Sequence, residues 1–121
     1  LAEKAQSELS IELNKVEESN GGCQLTFLAA SSHANGIAQL VFETVLFDNE
    51  GGVNRLTLFD FGAIPAGVPR VRQFVIPALA CSDLAQILIN GVSTCQAPGL
   101  DEAACSKGMN VTSRIEVELI G

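Results

Sequence analysis

Residues 37–61 read IAQLVFETVLFDNEGGVNRLTLFDF, two apolar runs held apart by one turn. Val41, Phe42, Val45, Leu46 and Phe47 are β-branched, aromatic or bulky aliphatic residues that fit a pleated, buried surface. Between the runs, Asp48, Asn49 and Glu50 precede Gly51 and Gly52; Asp and Asn supply local hydrogen bonds, and Gly permits positive φ. The stretch reads as the central hairpin of an antiparallel sandwich. Its first arm is apolar on both faces, with Leu40, Phe42 and Leu46 on one and Val41, Val45 and Phe47 on the other. That marks a middle strand whose outer side is partly covered, with Glu43 as the polar exception.

The rest of the chain repeats the pattern. Leu9, Ile11 and Leu13 alternate with polar residues, and Leu25, Phe27 and Ala29 do the same after the turn at 17–22. Asn35-Gly36 is a hairpin signal. Pro65 and Pro69 make 62–69 a loop or an edge, because proline donates nothing to a ladder. Residues 70–76 form a strand, 78–83 a short connection with one helical turn, and 84–89 an apolar strand broken at Asn90-Gly91. The last strand has Val111, Ser113, Ile115, Val117 and Leu119 inward, with Thr112, Arg114, Glu116 and Glu118 outward. Residues 1–8 are a lead-in, and 9–121 one domain. Seven strands at this spacing predict a seven-stranded antiparallel immunoglobulin-like or fibronectin-like β-sandwich, with a small Greek-key barrel as the alternative.

Cys23, Cys81, Cys95 and Cys105 are even in number, and no two stand two to four residues apart as zinc ligands usually do. Two disulfides and an oxidising compartment follow. In the expected topology the second and sixth strands run in the same direction in opposite sheets. Of three possible pairings, this one favours Cys23–Cys81 between the sheets and Cys95–Cys105 across the last loop. The chain begins at Leu1 rather than Met, so a removed signal peptide or anchor is expected.

Charge narrows the partners. Seven Lys and Arg against 14 Asp and Glu give a net charge of −7, which disfavours nucleic acid and anionic lipid. No apolar run reaches the ~18 residues of a membrane span. With no Trp or Tyr, sugar stacking is disfavoured. His33 follows Ser31-Ser32 in a turn without a nucleophile elbow, and no nucleotide-binding glycine motif is present. Glu17-Glu18 and Asp101-Glu102 read as solvated loop charges. Asn110-Val111-Thr112 matches a glycosylation acceptor triplet. No cofactor is called for. Asp48, Asn49 and Glu50 are an oxygen-rich group that a calcium ion could use, although the spacing of the usual calcium loop is missing. Arg70 and Arg72 project from one face of their strand, toward Glu43 on a neighbouring strand or toward an acidic partner.

The run Leu46-Phe47-Asp48-Asn49-Glu50-Gly51-Gly52-Val53 is similar to the turn of bacterial FxLYD-like extracytoplasmic domains. Ile64-Pro65-Ala66-Gly67 followed by Phe74 resembles the second half of that pattern, so the likeness covers residues 29–76. The four cysteines and the long final loop depart from it. The resemblance implies an immunoglobulin-like sandwich outside the cytoplasm, often tethered.

These readings converge on a non-enzymatic periplasmic or secreted module for structural or protein–protein interaction, as a subunit of a membrane-associated or surface assembly. Its expected contact surface is an exposed sheet edge, through which it could also self-associate, or the loop 95–108 with Pro98 and Leu100. The alternative is a small-molecule or calcium-binding domain using the turn 48–52.

Overall fold

The computed structural model describes residues 9–32, 35–97, 105 and 109–121. Its strands are β1 (Leu9–Ser19), β2 (Gly22–Ser31), β3 (Ile37–Phe47), β4 (Val53–Ile64), β5 (Arg70–Pro77), β6 (Gln86–Gln96), β7 (Met109–Ser113) and β8 (Glu118–Ile120), with a 3-10 turn at Cys81–Asp83. They form an all-β sandwich of two four-stranded sheets. Sheet I has the order β5-β2-β1-β7 and sheet II the order β4-β3-β6-β8. The β3–β4 pair is the hairpin expected from the sequence, and β3 lies inside sheet II between β4 and β6. The β1–β2 turn closes through Asn20 and Gly21, at φ 47° and 80°. Asn and Gly are the residues that accept such angles, and the turn's twist matches that of the strands.

Leu9, Ile11 and Leu13 of β1 and Leu25, Phe27 and Ala29 of β2 form the floor of the core. Leu40, Phe42 and Leu46 of β3 meet them from sheet II with Ile87 of β6. Phe27 stands at the centre, its ring 5.4–6.0 Å from those of Phe59, Phe61 and Phe74. Phe59 and Phe74 stack at 4.4 Å with their planes 12° apart. Five of the six Phe thus join the two sheets in one cluster. Cys23 of β2 is bonded to Cys81 of the 3-10 turn that leads into β6, the pair expected between the sheets. Cys95, on β6, is bonded to Cys105.

The two arginines of β5 correct one expectation. Arg72 lies opposite Phe27, on the core-facing side of sheet I. Glu43 lies opposite Leu58, in the row next to Val45, on the outer face of sheet II, so the expected cross-strand pair does not form. Instead, the Arg72 guanidinium donates to the carbonyls of Phe61 (2.6 Å) and Ala63 (2.7 Å) on β4. Arg55 of β4 returns the tie, donating to the carbonyl of Pro77 at the end of β5 (2.9 Å). β4 and β5 are edge strands of opposite sheets, and these bonds lace the open side of the sandwich. Arg70 donates to the carbonyl of its neighbour Pro69. A charged donor to a carbonyl contributes more than a neutral one, so Arg72→Met should cost about 1.5–3 kcal/mol in urea unfolding. A loss below about 0.5 kcal/mol, the range of ordinary surface substitutions, would mean that the lacing is redundant.

The strand count is the second correction: the described residues form eight strands where seven are expected. The final stretch does not stay in one sheet. β7 runs parallel to β1, and β8 runs parallel to β6. Between them the Ser113 hydroxyl accepts from the Ile115 amide and donates to the carbonyl of Val117 at 2.6 Å, which bends the chain off sheet I. A third correction concerns β6, which runs on past Asn90-Gly91. Opposite the β3 pair Glu43-Thr44 it places Gly91 and Ile89, leaving Asn90 as the extra residue of a bulge. Cys95 therefore sits on a strand, not in a loop.

Candidate interaction face

The turn 48–52 is held from within. Asp48 Oδ1 accepts from the amides of Glu50 and Gly52, both at 2.9 Å, and the Asp48 amide donates to the carbonyl of Gly52. Asn49 Nδ2 donates to the carbonyl of Ser82, tying the hairpin tip to the 3-10 turn. Turn formation thus accounts for Asp48 and Asn49, the first two of the three residues considered for calcium. Among the described residues no three His, Cys, Asp or Glu side chains are grouped to hold a metal ion. Asp48→Ala should cost about 1 kcal/mol in thermal or urea unfolding, while Asp48→Asn, which keeps an oxygen at the same place, should cost less than half of that. Equal losses would show that the carboxylate charge matters rather than the turn.

Other expected residues scatter. Glu17 and Glu18 lie on β1, not in a loop. Glu17 pairs with Lys15, and Glu18 accepts from the Cys81 amide at 2.8 Å. Arg72 is spent on β4 carbonyls. His33, Pro98, Leu100, Asp101 and Glu102 lie outside the described residues. No helix among the described residues is long and apolar enough to cross a membrane. A cleft of about 630 Å3 opens between β1, the 3-10 turn and the crossing segment, lined by Val16, Cys81, Leu84 and Ile115 with Lys15 and Glu116 at its rim.

The feature that composition does not reveal is the outer face of sheet II. Leu56 of β4 lies opposite Val45 of β3, Val45 opposite Leu88 of β6, and Leu88 beside Ile120 of β8. Directly paired residues share a face, so one apolar row crosses all four strands, about 14 Å at the usual strand spacing. The neighbouring inward row is Leu46, Ile87 and Leu119, all buried, which fixes the first row as outward. Leu56 is 71% exposed, Leu58 60% and Ile120 41%, while Val45 between them is only 7% exposed. On the row beside it, Val53 pairs with Phe47. The outer face of sheet I also exposes Val71 (56%) and Val75 (49%), but there they and Leu28 and Ala30 stand among Ser10, Glu12, Gln24, Thr26, Gln73, Asn110 and Thr112.

Charge is also unevenly placed. The outer face of sheet II holds Glu43, Asp60 and Glu118 and no Lys or Arg among the described residues. Of the described basic side chains, Arg55, Arg70 and Arg72 serve the β4–β5 side, Lys15 pairs with Glu17, and Arg114 pairs with Glu12 on sheet I. Gln39 and Gln86 donate to Asp60 and Glu118, holding two of the three carboxylates in place. The signal missed in the sequence is the period-two pair Leu56 and Leu58 on the second arm, which only register connects to Ile120. Comparison with protein-family models, with curated proteins and with solved structures finds no match for this chain.

Proposed function

We propose that this chain is a non-enzymatic, extracytoplasmic β-sandwich that binds another protein, as a structural or interaction subunit of a membrane-associated or surface assembly. One observation carries the reading: the outer face of sheet II bears an apolar row from Leu56 to Ile120 where a sandwich in water alone would alternate to polar. Exposed Leu56, Leu58 and Ile120 on one sheet face, linked by apolar neighbours, are the kind of apolar surface that marks an interaction site on a folded domain. The bonds Cys23–Cys81 and Cys95–Cys105 support an oxidising compartment. The likeness of residues 29–76 to FxLYD-like extracytoplasmic domains points the same way.

The test places the photo-reactive amino acid p-benzoylphenylalanine at position 56, and separately at position 112 on the outer face of sheet I, in the native host. Position 56 should give one discrete protein adduct and position 112 none. Adducts from neither position, or equally from both, would overturn the reading. An adduct of twice the 12.7 kDa chain mass would replace a foreign partner with self-pairing along β4.

A further inference from the structure

We infer that the partner of the sheet II face is a protein segment with apolar side chains flanked by Lys or Arg. The inference rests on the proposed function and adds the chemistry of the partner. Leu56 and Leu58 at the β4 edge and Ile120 at the β8 edge are the exposed ends of the apolar row, joined across the buried Val45 and the half-buried Leu88. Glu43 adjoins that row at its β4 end, directly opposite Leu58. Glu118 adjoins it at the β8 end, two residues before Ile120, and Asp60 lies two residues after Leu58. A rim of three carboxylates without a described cation is complementary to a basic rim. The same rim argues against a second copy of this chain, which would bring like charges together at a net −7 on each side. It argues equally against anionic lipid. Charge at an exposed rim acts mainly on association rate and on choice of partner, and apolar contact supplies the affinity.

Two synthetic peptides test this. They share one stripe of Leu, Ile and Phe; one is flanked by Lys, the other by Glu. Each is titrated into the oxidised, 15N-labelled protein at low and high salt, with amide shifts as the readout. The Lys peptide should bind at least tenfold more tightly, with shifts at Leu56, Leu58, Leu88 and Ile120 and weaker binding at high salt. Glu43→Lys combined with Glu118→Lys, both exposed positions, should remove that preference while costing no more stability than ordinary surface substitutions do. A peptide of Lys alone, lacking the stripe, should not reproduce the shifts. Equal affinity for the two peptides, or shifts confined to sheet I, would overturn the inference. So would concentration-dependent self-association mapped to the same residues, or binding to phosphatidylcholine–phosphatidylglycerol vesicles. If neither peptide binds while position 56 still captures a protein, the charge inference fails and the interaction reading stands. If position 56 captures nothing, the interaction reading itself fails.

Discussion

Replacing Phe27 with alanine should destabilise the protein by about 3–5 kcal/mol, the range for deleting a buried aromatic ring. The ring is 1% exposed and touches three others, Phe59, Phe61 and Phe74, which belong to both sheets. Those neighbours are themselves held by backbone ladders, so they cannot collapse into the space left behind, and the cost should fall toward the upper end. Set against a total stability of about 5–15 kcal/mol for a domain, the loss could unfold the chain at 37 °C. Phe47→Ala is the control. That ring is half-buried on the outer side of β3, outside the cluster, and its removal should cost roughly 1 kcal/mol. Urea melts of both variants decide the matter. Equal losses would mean that the Phe cluster is not the centre of the core.

The second large effect is covalent. Removing the bond between Cys23 and Cys81, as Cys23→Ala with Cys81→Ala, frees a segment of 58 residues. In the chain-entropy account such a cross-link contributes about 4 kcal/mol, against about 3 kcal/mol for the ten-residue segment between Cys95 and Cys105. The first bond also anchors the 3-10 turn that feeds β6, and that turn is held besides by Glu18 at the Cys81 amide and by Asn49 at the Ser82 carbonyl. The double substitution at 23 and 81 should therefore lower the melting temperature more than the double substitution at 95 and 105. The reverse order would show that the long segment is already constrained when unfolded, or that the short one guards more structure than its length implies.

The readable and unreadable parts of this chain divide on physical grounds. Alternation in β1 and β2 is visible because each strand faces a core on one side, and period two is the direct record of that. The crossing from β7 to β8 left no mark on the same record. Both sheets face one core, so Val111, Ser113, Ile115, Val117 and Leu119 keep their inward parity while the strand changes sheets. The Ser113 hydroxyl, turned onto its own backbone, helps make the bend, and a serine in an alternating run carries no such signal. Asn90-Gly91 reads as a break because these residues favour turns, yet a bulge asks for the same chemistry. Arg72 misled for a different reason. Its place in a period-two strand gives its face but not what lies across the sandwich, and backbone carbonyls of an edge strand leave no trace in side-chain sequence. The apolar row on sheet II is legible only in part. The sequence marks β3 as apolar on both sides, but linking Val45 to Leu56, Leu88 and Ile120 needs the register of three ladders.

The sandwich, its staples and its compartment meet in one covalent fact, so the most direct measurement is the intact mass of the native protein before and after reduction, with alkylation and a peptide map. Unreduced protein should take up no alkyl group, and reduced protein should take up four, with Cys23 linked to Cys81 and Cys95 to Cys105 in the map. Four free thiols in freshly prepared native protein, or Cys23 joined to Cys95, would contradict the stapled sandwich and, with it, the proposed location outside the cytoplasm.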